Sequence, residues 1–120
     1  MKDAGATLVG GSDAPVNTRD PQPFVNISIA VTRQIPGQQP ITPAQRISVE
    51  DAIDAYTING ARYLYLGDQA GSIEIGKSAD FIALDRDIVE LAHSGQGVKI
   101  AETHVVKTWF RGVAVYSREP

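Results

Sequence analysis

Few side chains in this 120-residue chain have the type and spacing to do chemistry. There are no cysteines, which excludes disulfides and thiolate metal sites. The two histidines, His93 and His104, lie far apart and make no His-x-His pair. One carboxylate stands out by its setting. Asp13 follows the apolar pair Leu8-Val9, then Gly10-Gly11-Ser12, and precedes Ala14-Pro15-Val16. An apolar run that breaks at two glycines reads as a buried strand ending abruptly, because glycine accepts backbone angles closed to other residues. Pro15 fixes its own φ and biases Ala14 towards an extended shape. Asp13 is thereby set on a tight loop at the carboxyl end of a strand, the edge where α/β proteins usually place their chemistry. The other reading is a turn Asp that hydrogen-bonds its own backbone. These residues alone leave both open.

The elements that must position Asp13 are ordinary for a globular domain. The chain is 42% hydrophobic and 21% charged, with a net charge of −3. That balance lacks the basic footprint of a nucleic-acid binder. No run of about eighteen apolar residues is present, so no membrane span is expected. Residues 1–5 carry no hydrophobic signal region, and a cytoplasmic location is the default. A chain this size buries roughly 65% of its unfolded surface.

Residues 1–5 read as the tail of a helix ending at Gly5, and residues 6–10 as a strand. A start that commits its first residues to an interior strand looks like a cut through a larger fold. Residues 17–23 form a polar loop. Phe24, Ile27 and Val31 recur at helical spacing within residues 24–34, with a strand as the rival reading because β-branched residues are common there. Pro36, Gly37, Pro40 and Pro43 make residues 34–45 a long loop. A helix over residues 48–66 begins with Ser48 and Asp51 at capping-box spacing. Its apolar face runs through Val49, Ala52, Ile53, Tyr56, Gly60, Tyr63 and Leu64, leaving Glu50 and Asp54 to water. Gly60 marks close packing and Gly67 a C-terminal cap. Residues 71–77 are turn-rich, and residues 79–85 form a strand. Residues 88–97 are a loop or short helical turn. Strands over residues 103–110 and 113–116 are joined by Arg111-Gly112 at hairpin spacing. The fold class is mixed α/β, with the long helix packed on a closing antiparallel β unit.

In this order the pieces resemble the carboxyl-terminal end of an amidohydrolase-superfamily enzyme, of the branch called amidohydrolase family 3. Gly11-Ser12-Asp13-Ala14-Pro15-Val16 is similar to the segment after barrel strand eight. Tyr56-Thr57-Ile58-Asn59-Gly60-Ala61 is similar to the helix that follows. Gly71-Ser72-Ile73-Glu74-Ile75-Gly76-Lys77-Ser78-Ala79-Asp80-Phe81 resembles the signature at the entry to the small β domain. Thr108-Trp109-Phe110-Arg111-Gly112-Val113-Ala114-Val115-Tyr116 resembles the final hairpin. The resemblance implies the last strand and helices of a (β/α)₈ barrel over residues 1–67, then part of a small β-sandwich over residues 68–120. It implies hydrolysis of amide-type, non-peptide C–N bonds with a divalent metal, zinc above all. It also puts Asp13 on the strand-eight aspartate, which sits by the metal and moves the proton. A metal lowers the pKa of bound water towards 7, and a carboxylate in reach can take that proton and pass it to the leaving amine.

The chain departs from the family pattern by lacking the early His-x-His pair and the further histidine ligands. A whole barrel takes about 250 residues. Asp13 alone cannot hold a catalytic zinc, which usually takes three protein ligands. Its metal role therefore requires ligands from elsewhere, and the chain by itself is expected to be inactive and metal-free. His93 reads as an exposed loop histidine and His104 as a strand-edge one. Lys77 reads as solvated, since Gly76-Lys77 lacks phosphate-loop spacing. Arg19 and Asp20 contact one another or, in a parent enzyme, a substrate group. Tyr56, Tyr63 and Tyr65 read as core or half-core, and Trp109 as packed between the hairpin and the long helix. The implied partner is a missing barrel portion or a second copy of the chain, with neither nucleic acid nor membrane. The alternative function is a non-enzymatic oligomerising or binding module derived from the family.

Overall fold

The computed structural model describes residues 4–16, 19–35 and 37–119. Helix α1 spans Pro23–Thr32, α2 Val49–Tyr56, α3 Ile58–Tyr63 and α4 Ile88–His93. Short 3₁₀ turns cover Pro43–Gln45 and Gly97–Glu102. Strands β1 (Phe81–Leu84), β2 (Val105–Phe110) and β3 (Val113–Ser117) form one antiparallel sheet in the order β1-β2-β3. The mixed α/β class and this closing antiparallel unit match the sequence reading. Helical periodicity wins over β-branched content at α1, which stops at Arg33 in the left-handed region.

The core sits between helices. Ile27 of α1, Val49 and Ala52 of α2, Ile88 of α4 and Ile100 of the second 3₁₀ turn are buried together. Ile100 is 0% exposed. Gly97 lets that turn approach α1: a Cβ there would meet the Thr32 Cγ2 at 2.8 Å. Ser28, also fully buried, donates from Oγ to the Gly97 carbonyl at 3.0 Å. The same contact thus joins apolar burial to a satisfied polar group.

Three expectations change here. Residues 6–10 form no strand, because no neighbouring strand pairs with them among the described residues. The helix expected over residues 48–66 breaks at Thr57, whose φ and ψ are −131° and −100°. Thr57 Oγ1 donates back to the Ile53 carbonyl at 2.7 Å, a bond that bends helices. Asn59 and Gly60, both weak helix formers, follow the break. The chain then turns at Tyr65, with φ 60°, rather than at Gly67. The interrupted helix also packs differently from expectation: α2 lies against α1, α3 and α4.

The β unit has its own logic. Arg111 and Gly112 both have positive φ, 50° and 78°, as a two-residue type I′ hairpin requires. Asp80 holds this turn, its Oδ1 accepting from the Arg111 N–H at 2.6 Å, while Gly112 N–H donates to the Ala79 carbonyl. Phe81 and Trp109 are cross-strand partners, and their rings stack at 4.6 Å. Trp109 therefore packs within the sheet, with Lys107 Nζ over its ring, and not against a helix as expected. Ile82, Phe110, Val113 and Tyr116 remain exposed on this sheet.

Candidate functional site

The extended segment at residues 8–13 hangs on the junction between α2 and α3. Gly10 N–H donates to the Ala55 carbonyl at 2.8 Å. Ala55 lies in the last turn of α2, where helical carbonyls lack intrahelical donors. Asn59 Nδ2 donates to the Leu8 carbonyl at 3.1 Å. The Tyr56 ring lies so close to Gly10 that an added Cβ would meet its Cε2 at 2.5 Å. A side chain at residue 10 would thus force the Tyr56 ring to move.

Asp13 follows with φ 52°, in the left-handed region that non-glycine residues seldom occupy. Its backbone carbonyl accepts from the Val16 N–H at 2.9 Å, and the Ala14–Pro15 peptide bond is cis. The side chain is exposed, and its carboxylate accepts no hydrogen bond from the described residues. The local side-chain turn is made by Ser12, whose Oγ accepts from the Ala14 N–H. The Asp13 carboxylate is thus left outside the hydrogen bonding of its own loop.

The other candidates lie elsewhere. His93 ends α4 rather than standing in a loop, and its Nε2 is 2.8 Å from Glu50 Oε1. The carboxyl of Glu50 is held below its usual range by a backbone hydrogen bond at the start of α2, and further by His93. His104 stands just before β2, with Nδ1 3.2 Å from Asp85 Oδ2, while its backbone N–H donates to Asp85 Oδ1 at 2.9 Å. That backbone bond, with Arg86 and the His104 ring, lowers the Asp85 pKa from 3.8 to about 2. Arg86 in turn reaches Glu102 at 3.1 Å, which raises the guanidinium pKa.

Lys77 is not solvated. Its side chain is only 13% exposed, and Nζ donates to Ser72 Oγ at 2.6 Å and to Glu74 Oε1 at 3.0 Å. Ser72 first, and then Lys77, lower the Glu74 pKa. The group staples the turn-rich signature together. Tyr56 is half-buried as expected, but Tyr63, the last residue of α3, and Tyr65, beyond its end, are 75% and 95% exposed. Asp20 Oδ1 accepts from the Gln22 N–H at 3.3 Å.

Among the described residues, no three His, Cys, Asp or Glu side chains come together to hold a metal ion. The structure brings neither histidine to Asp13: one belongs with Glu50 and the other with Asp85. A catalytic zinc needs about three protein ligands, so this set does not fit one by itself. Asn59 is a contact to the Asp13 segment that the sequence reading does not identify. The available signal was an Asn followed by Gly inside an apolar helical pattern, where neither favours a helix.

The amidohydrolase family profile matches residues 1–116. The chain is 35% identical over 118 residues to N-substituted formamide deformylase of Arthrobacter pascens, covering 98% of this chain and 21% of that protein. Imidazolonepropionase of Picrophilus torridus is 61% identical over 41 residues, or 34% of this chain and 10% of that protein. In structure, the chain resembles an amidohydrolase from Thermotoga maritima MSB8 with a TM-score of 0.67 at 24% identity. That likeness covers 98% of this chain and 24% of the larger one, and shows the fold alone. The chain belongs to the amidohydrolase family. It spans about a fifth of the length of the deformylase. No helix among the described residues is long and apolar enough to cross a membrane.

Proposed function

We propose that this chain is the carboxyl-terminal portion of a metal-dependent hydrolase of amide-type, non-peptide C–N bonds, and that Asp13 is its proton-transfer carboxylate. On this reading residues 1–67 close a (β/α)₈ barrel and residues 68–120 belong to a small β-sandwich. The divalent metal, zinc by the family's habit, is held by ligands outside this chain. The carrying observation is the setting of Asp13: an exposed carboxylate, left free by its own loop, at the end of a segment fixed from α2 and α3. The formamide deformylase supports substrates of the N-substituted amide class.

In this role Asp13 takes a proton from water as the water oxygen bonds to the carbonyl carbon. It then delivers that proton to nitrogen as the C–N bond breaks. Positioned proton transfer of this kind contributes typically about 10²–10⁴-fold. The rest of the machinery is supplied from outside the chain. Val9, Tyr63, Leu64, Ile73 and Ile75 are exposed apolar residues that a barrel portion or a second copy would cover. A cytoplasmic setting is part of the same proposal.

A chimera tests it. Residues 1–116 replace the matching carboxyl-terminal part of the Arthrobacter deformylase, and hydrolysis of an N-substituted formamide is followed. The chimera is expected to turn over, and Asp13→Asn to lower kcat by about 10²-fold or more. An Asp13→Asn chimera as fast as its parent contradicts the proposal.

A further inference from the structure

We infer that Asn59 is the positioning residue for Asp13, acting through the Leu8 carbonyl; this rests on the proposed catalytic role of Asp13. The segment at residues 6–10 makes no strand ladder among the described residues, so its place is set by other contacts. Three are visible. Ala55 accepts from the Gly10 N–H, the Tyr56 ring covers Gly10, and Asn59 donates to Leu8 O. The fourth, looser contact is Val9 Cγ1 over Gly60. All come from residues 55–60, on both sides of the helix break at Thr57.

Among these, Asn59 alone uses a side-chain polar group across the junction. Its Nδ2 spans 51 positions in sequence to reach a backbone carbonyl that lacks a ladder partner. A paired carbonyl is the norm for backbone at this depth, and an unpaired one is costly. The bond also has a consequence downstream. Asp13 sits at φ 52°, and a non-glycine residue holds such a conformation only where its surroundings over-determine it. Asp13's own side chain supplies no such restraint, since it makes no hydrogen bond within the described residues. The restraint comes from below: Leu8 and Gly10 are pinned, and Ser12 closes the loop onto Ala14 N–H. Asn59 acts through the backbone at Leu8; it fixes where the carboxylate points.

The test is amide hydrogen exchange and backbone NMR on the chain, with Asn59→Asp and Asn59→Ala. The first keeps the shape and removes the N–H donor; the second removes the donor without adding charge. In both, Gly10 exchange is expected to quicken about tenfold, and the Ser12 and Asp13 resonances to broaden or double. The amides of α1 and of the second 3₁₀ turn are expected to keep their rates, which a general loss of stability would not allow. Wild-type behaviour at Gly10 and Asp13 in either variant overturns the inference. So does equal acceleration throughout the chain. Because no activity is measured, the result is separate from the chimera: an active Asp13→Asn chimera would remove the catalytic role of Asp13 and leave the clamp standing.

Discussion

Around Ile100, helices α1, α2 and α4 and a 3₁₀ turn close over a cluster of buried side chains. Around Asp13, a single extended segment hangs on the α2–α3 junction and its carboxylate faces water. In the first region the apolar groups are covered and the buried Ser28 hydroxyl has a partner, while the buried Thr103 hydroxyl at the end of the 3₁₀ turn has none among the described residues. The second is left open: among the described residues its segment has no strand neighbour and its carboxylate no donor, and Tyr63 beside Val9 is exposed. The difference teaches where function sits. Packing accounts for the first region by itself, whereas the second fits the proposed reading, in which it is one side of an assembly.

Mutations can break or sharpen this contrast. Ile100→Ala should have the largest effect, about 2–5 kcal/mol in chemical denaturation, because its site is enclosed on all sides. A cost below about 1 kcal/mol would mean that the core is looser than its burial indicates. Gly97→Ala should cost about 1–3 kcal/mol, since the new Cβ meets the β-branched Thr32 at 2.8 Å. Combining it with Thr32→Ser, which removes that methyl, should recover much of the loss. Ser48→Ala should cost about 1 kcal/mol by removing the acceptor for the Asp51 N–H at the start of α2.

Asp85 sets a pH dependence in the region between sheet and helices. Its folded pKa of about 2 lies below its ordinary 3.8. The stability it contributes is therefore fully present above pH 3.8 and is lost as pH falls towards 2. Acid titration followed by circular dichroism should show a shallower decline in that window for Asp85→Asn than for the parent chain. Val113→Thr, on the exposed sheet, should change stability by about 0.5 kcal/mol or less. A loss well above that would show that the sheet face is covered in solution, and sedimentation would then reveal a second copy.

The region around Ile100 was the more legible of the two in the sequence. Val49 and Ala52 follow helical periodicity, and Ser48 and Asp51 announce the cap; outside that region, in the sheet, Arg111-Gly112 marks the turn between strands, and each is a local signal that local physics enforces. The break at Thr57 was not legible, because an unbroken apolar stripe continues through Tyr63. Its cause is a side-chain bond to Ile53 combined with the demands of a distant segment. The strand expected at residues 6–10 needed neighbours that no local pattern supplies. For the candidate site, Asp13 could be picked out because two glycines and a proline frame it. Asn59 could not, since its partner Leu8 is remote in sequence. Lys77 was misread for a similar reason: a lysine after glycine in a turn suggests solvent until Ser72 and Glu74 are seen to fold around it.

The most direct test is the zinc content of the purified chain, by elemental analysis after exhaustive dialysis, with Asp13→Asn in parallel. Far less than one zinc per chain is expected in both, since on the proposed reading the ligands that hold the metal lie outside this chain. One zinc per chain in the parent, lost in Asp13→Asn, would contradict it and show that the chain assembles the metal site by itself.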